Sequence, residues 1–281
     1  MRSRSLCALG LTLLLLAGAR TAAAQESSSD LVSEPATAFD GLPPVHGRDD
    51  LWLVDSLYVA LDAQASLDAA AALVQADSTD WDAYVRAARA ALALGIAAEE
   101  RSDQKAWYLR AESYGARAVA IDSMRVDGLY WLAAARGRRT LLESPRAIVS
   151  LANEVHVIAN RVLVLDPSHP GAHNILGRFN FELLILSRVE RFFARHLLGG
   201  DSIIKQATWP EAERHQVASV EMAPFMILFH YELARTYARQ GKRAEAREQY
   251  ETVLALPIRH PPDPRWQALS KRAIERMEKG R

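Results

Sequence analysis

Two histidines and two carboxylates are the first groups to weigh for chemistry. His169 and His173 are four residues apart, the spacing at which one helix face can offer two nitrogen ligands to a metal. Pro170 stands between them and sets His169 outside the helix. No cysteine or carboxylate nearby completes a ligand set, so no metal is expected there. Glu182 and Glu190, eight residues apart, fall on one helix face two turns from each other. An acid–base pair needs both groups at one reacting bond, whereas a solvated face carries such charges without any partner, and the second reading is taken. Nucleophilic chemistry has no carrier: there is no Gly-x-Ser-x-Gly elbow, and the only cysteine is Cys7, in the first few residues. Phosphate loops and the dinucleotide glycine fingerprint are missing as well. The sequence predicts no enzyme, and no cofactor.

What remains is binding, and binding needs elements to present it. From Asp50 onward alanine and leucine recur at three- and four-residue spacing, and no β-branched run alternates strictly. That predicts helices nearly throughout and no strands. The helices come in pairs. The plainest has His230, Leu233, Ala234 and Tyr237 on its first helix, Gly241 at the turn, and Ala246, Tyr250 and Val253 on the second, ended by Pro257. His230 holds the place of a packing aromatic and is expected inside. Upstream, Tyr84, Ala87 and Ala88 go with Ala111, Gly115 and Ala118. Leu129, Leu132 and Ala133 go with Val155, Ala159 and Val162. His173, Leu176 and Gly177 go with Ala212, Gln216 and Ser219.

Small residues at these places let two backbones approach, and large ones fill the groove between them. The pattern resembles the tetratricopeptide repeat. Two upstream copies exceed the standard length by about 10 residues, shared across both helices. Residues 51–77 read as a further, less regular pair, 259–264 as a Pro-rich linker, and 265–279 as the cap that a solenoid end requires. The expected fold is all-α: an α-solenoid of about four tetratricopeptide-like antiparallel helix pairs over residues 48–281, with a C-terminal capping helix.

The N-terminus reads as a targeting segment. Arg2 and Arg4 precede the apolar run 9–17, and Ala22, Ala23 and Ala24 supply a cleavage site, which predicts a signal peptide over residues 1–24. The run is shorter than the roughly 20 residues that span a bilayer, and no later segment reads as apolar enough to cross one. Residues 25–47, rich in Ser, Pro, Asp and Gly, read as a flexible linker. The chain is thus expected to be exported, to the periplasm or the cell surface, or secreted. A net charge of zero argues against nucleic acid as a partner. The charge is unevenly spread: residues 25–82 hold twelve acids and one base, residues 235–281 twelve bases and six acids.

A longer string is more specific. It runs Leu176-Gly177-Arg178, Phe181-Glu182, Leu186-Ser187, Glu190-Arg191, then Trp209-Pro210-Glu211-Ala212, Pro224, residues 241–247 and Leu254-Ala255-Leu256-Pro257. In these the stretch 173–277 resembles the regulator of microtubule dynamics family, which implies a tetratricopeptide-like helical domain. It departs at Arg188, where an aromatic often follows the Leu-Ser pair, and the acidic first third has no counterpart. The family name implies microtubule association, but an exported chain would not meet tubulin, so only the fold is carried over.

In repeats of this class the first helix of each pair lines the concave side. Taking His173 and His230 as first marked positions places Asn174, Arg178 and Glu182, with Tyr231 and Arg235, on that face. An asparagine among arginines can hold a peptide backbone or a terminal carboxylate, so a protein or peptide partner is expected there. The same Arg178 can instead pair with Glu182 and merely order the helix. An apolar group, Phe192, Phe193, Leu197, Leu198, Ile203, Ile204 and Trp209, reads as core or as a groove for a lipid or a partner helix.

Overall fold

Helices begin where a side chain can take up the free N–H groups of a first turn. Asp62 accepts from Ala65 N at 2.9 Å and Asp80 from Ala83 N at 3.0 Å. His169 Nδ1 accepts from Ala172 N at 3.1 Å. Between pairs the chain turns on an aspartate whose carboxylate accepts the N–H two residues on. Asp77 does so for Thr79, Asp122 for Met124 and Asp166 for Ser168, at 2.8, 2.9 and 3.0 Å.

The computed structural model describes residues 48–187, 205 and 207–279, without the side chains of Pro145 and Arg146. The expected signal peptide, residues 1–24, and linker, residues 25–47, lie outside the described residues. All regular structure among the described residues is helical: α1 (Asp49–Val59), α2 (Ala63–Ala76), α3 (Trp81–Ala97), α4 (Arg101–Ile121), α5 (Val126–Thr140), α6 (Pro145–Leu165), α7 (Pro170–Leu184), α8 (Trp209–Met222), α9 (Ile227–Arg239), α10 (Arg243–Ala255) and α11 (Asp263–Lys279). Each odd-numbered helix packs on the even one that follows it, and α1, α3, α5, α7, α9 and α11 also touch one another in series. The odd helices therefore form the inner layer of an all-α solenoid. Among the described residues it has five antiparallel pairs and a capping helix, so the irregular N-terminal stretch is a full pair.

The marked small positions are where the layers close. Ala87, Ala111, Ala118, Ala133, Ala159, Ala212, Ala234 and Ala246 are all fully buried. A Cβ on Gly177 would run into the Gln216 side chain and stand 3.1 Å from the Ala212 carbonyl oxygen; one on Gly115 would stand 3.0 Å from the Leu132 backbone. Glycine is there because α7 and α8, and α4 and α5, approach that closely. Gly241, at φ 78°, takes the left-handed turn between α9 and α10.

Two expectations need correction, on the linker and on α6, and one gains detail. The extra length of the long copies falls mostly on the second helix of each pair: α4 and α6 have 21 residues each, against 17 in α3 and 15 in α5. The linker is shorter than 259–264, because α11 begins at Asp263, whose carboxylate accepts from the N–H groups of Arg259 and His260. Residues Ala147–Leu165 of α6 are long and apolar enough to cross a membrane, contrary to the sequence reading. In the fold Leu151, Val155, Ala159 and Val162 of this stretch are buried and α6 packs on α5, while Val157 and Val164 are exposed.

Candidate functional site

The inner layer encloses a cavity of about 330 Å³ with a predominantly apolar wall. α1 contributes Tyr58, α3 Arg89 and Ile96, α5 Trp131 and Arg138, and α7 Asn174, Arg178 and Glu182. His260, Pro262, Asp263 and Trp266, from the turn before α11 and its first residues, line it as well. A concave, mostly apolar space with a few convergent polar groups is the usual form of a ligand site.

Asn174, Arg178 and Glu182 face the cavity together, as their four-residue spacing requires. Asn174 is buried, and its Nδ2 has no hydrogen-bond partner among the described residues. Arg178 Nε lies 3.8 Å from Glu182 Oε1 and 3.8 Å from Glu232 Oε1, too far for good hydrogen bonds. Glu232 is 1% exposed. Burial opposes its charge, but Arg235, Arg178 and Arg138 together hold its carboxyl below the usual range.

Tyr231 and Arg235 stand on α9 of the inner layer but do not line the cavity. Arg235 is drawn sideways by two carboxylates, donating to Glu232 Oε2 at 2.7 Å and Glu182 Oε1 at 3.3 Å, and it lies over the Phe181 ring at 4.3 Å. Tyr231 is covered by the capping helix, its ring 5.2 Å from that of Trp266 and 6.2 Å from that of Tyr250.

Arg138 was missed. Its guanidinium faces the cavity with the Trp266 ring 4.9 Å away, and no carboxylate reaches it by an ion pair or hydrogen bond among the described residues. Burial, with Arg178 and Arg235 nearby, pushes its pKa down to about 9, so it is still charged at neutral pH. A signal for it existed. The offset that picks Asn174, Arg178 and Glu182 from His173 picks Tyr130, Ala134 and Arg138 from Leu129, and all three line the cavity.

The histidines are structural. His173 Nε2 donates to the Pro167 carbonyl at 3.1 Å, so its Nδ1 accepts from His215 Nδ1–H at 2.9 Å, and His215 Nε2 accepts from Arg214 at 3.0 Å. His230 repeats the first of these contacts with Pro224, at 2.8 Å. No cluster of three His, Cys, Asp or Glu residues that could hold a metal occurs among the described residues. Of the apolar group, Trp209 is half-buried, edge-on to Phe181 at 6.0 Å, and away from the cavity. Phe192, Phe193, Leu197, Leu198, Ile203 and Ile204 lie outside the described residues, as does Glu190.

The family model described as regulator of microtubule dynamics protein 1-3 matches residues 53–278. No curated protein matches at a significant level. Among solved structures, the tetratricopeptide-repeat protein TTC0263 of Thermus thermophilus superposes with a TM-score of 0.57 at 17% identity, covering 81% of this chain and 98% of that one. MamA gives a TM-score of 0.39 at 13% identity, over 72% of this chain and 93% of that one. A monomeric mutant of IFIT1 with Gppp-AAAA gives 0.43 at 14% identity, over 70% and 47%.

Proposed function

The chain belongs to the regulator of microtubule dynamics protein 1-3 family, and on that footing we propose that it is a non-catalytic binding module holding a partner in its inner cavity. The partner we assign first is a protein or peptide segment that enters with its terminal carboxylate. The observation behind this is Arg138: a guanidinium facing an apolar cavity that, among the described residues, pairs with no carboxylate and has the Trp266 ring against it, in a wall that also holds Asn174, whose Nδ2 has no partner among those residues. A carboxylate supplies the charge-assisted hydrogen bonds that both groups lack. The surrounding apolar wall suits the side chains that precede it.

Peptides of apolar sequence, prepared as free acids and as C-terminal amides, test this by calorimetry. Free acids should bind at least about tenfold more tightly, and Arg138→Gln should remove the difference. Equal binding of acid and amide would sink the reading.

The mostly apolar wall favours a second reading, a carrier of an apolar ligand such as a lipid. We place it in the inner cavity. Mass spectrometry of natively extracted protein should then find a stoichiometric lipid, and a clean protein would dismiss it. With residues 1–24 read as an export signal, the module works in the periplasm or at the cell surface, and tubulin is not its partner. Retention of the tagged full chain in the cytoplasm would refute that placement.

A further inference from the structure

The first and last helices of the solenoid are finished differently. α1 packs on α2 and α3 through Leu51, Val54, Asp55 and Tyr58, which are buried. Its opposite face carries Trp52, Leu53, Ser56, Val59 and Ala60, with Ser56 the one polar group among them. Trp52 is 58% exposed, Leu53 49% and Val59 48%. A helix that is apolar on both faces is normally buried on both. The end repeats of a solenoid normally turn a polar face outward. α11 follows that rule. Its buried residues are Asp263, Trp266, Ser270 and Ala273, and Lys271, Arg272, Glu275, Arg276 and Lys279 are exposed.

The two ends also differ in the sign of their charge. Asp49, Asp50, Asp62, Asp68 and Asp77 are exposed on α1, α2 and their flanks, and Arg48 is the only base between residues 48 and 82. On α11, Lys271, Arg272, Arg276 and Lys279 make no ion pair among the described residues. Glu278 is taken by Arg247 of α10 at 3.2 Å, which leaves Glu275 as the acid among those bases.

We propose that the bare face of α1 receives the basic face of α11 from a second copy, so that the chain assembles head to tail. Charge selects this occupant. Two copies of α1 laid together would crowd aspartates on aspartates, whereas α11 brings the opposite sign. Lysine and arginine stems cover apolar surface while their charged ends reach an acidic rim. A guanidinium laid on the Trp52 ring adds a cation–π contact. The two faces are unlike, so each copy keeps one of each to offer, and the contact repeats into a ring or a filament instead of stopping at a two-fold dimer. Trp52, Leu53 and Val59 do not line the inner cavity, so this contact is independent of what the cavity binds.

Sedimentation velocity of the purified full chain tests this, with Trp52→Glu blocking one face and the double variant Lys271→Glu/Arg272→Glu blocking the other. The parent chain should associate as its concentration rises, and about tenfold more weakly in 0.5 M salt than in 0.05 M. Each variant alone should stay monomeric with an unchanged circular dichroism spectrum. Mixed together, the two variants should form a 1:1 dimer and go no further, because only one good face of each kind remains. Trp52→Ser takes the place of Trp52→Glu if the latter does not fold. A parent chain that is monomeric up to about 100 μM would overturn the proposal. So would a variant that still associates by itself, or a mixture that stays monomeric, the result a pairing of like faces predicts.

Discussion

Arg86 is wholly buried and grips Asp55 with two nitrogens, Nε at 3.0 Å and Nη2 at 2.8 Å from the carboxylate. The pair joins α3 to α1. Arg89, one turn further along α3, adds a bond of 2.6 Å to the other carboxylate oxygen while lying over the Tyr58 ring at 4.0 Å. One carboxylate thus answers two guanidinium groups at the N-terminal end of the inner layer.

Removing that carboxylate takes the shared counter-ion from two buried cations, leaving Arg86 with the more distant Asp82 at 3.8 Å. Asp55→Ala should lose about 3–5 kcal/mol, the range for breaking a buried ion pair by deleting one partner. Urea unfolding followed by circular dichroism measures it. A loss below about 1 kcal/mol would mean that water reaches the arginines.

Gly137 of α5 and Gly177 of α7 should respond to alanine in opposite directions. Gly177→Ala forces α8 away, because the new Cβ meets the backbone around Ala212 and Gln216. The expected cost is about 1–3 kcal/mol. Gly137, with only a Val155 methyl 3.8 Å away, has room for a Cβ. Gly137→Ala should gain up to about 1 kcal/mol from helix propensity. Paired thermal melts decide both.

Acid should loosen the α6–α7–α8 region. Burial pushes His169 and His215 each down to about 4, Arg214 and His173 also lowering His215. The unfolded chain, with ordinary histidines near 6.5, takes up protons first. The stability these groups contribute is therefore present above about 6.5 and is lost as pH falls towards 4. His169→Asn keeps a side-chain acceptor at the start of α7 without a titrating ring. It should match the parent at pH 7.5 and fall less steeply between pH 6.5 and 4 in urea titrations.

Asp127 works the other way. Burial raises its carboxyl to about 7, so the folded state prefers it protonated, and its contribution is lost as pH rises from the ordinary value near 3.8 through 7. Asp127→Asn should leave stability at pH 4 nearly unchanged and raise it at pH 8 by more than about 1 kcal/mol. Equal urea midpoints at pH 8 would contradict the assignment.

The two halves of the site differed in how readable they were. Asn174, Arg178 and Glu182 follow from periodicity, since a helix repeats every 3.6 residues and one buried residue sets the phase of the rest. The same offset reaches Arg138 and Arg89. It does not say that Tyr231 and Arg235 stand outside the cavity wall, because a neighbouring helix and two carboxylates claim those side chains, and neither claim has a sequence spacing. His169 was read as lying outside its helix, which it does, as the cap of α7. The aspartate turns at Asp77, Asp122 and Asp166 were legible locally and went unread as a set.

By itself the sequence determined the helix pairs, the small residues at their crossings and the inner face of α7, all of which depend on contacts between residues close along the chain. Only the tertiary structure decided that Asp55 answers Arg86 and Arg89, that Arg138 faces an apolar cavity, and that Arg265 reaches back to Ile96 across 169 residues. Those pairings depend on how five pairs of helices stack and curve. Small rotations at each crossing accumulate along a solenoid, and no local spacing records their sum.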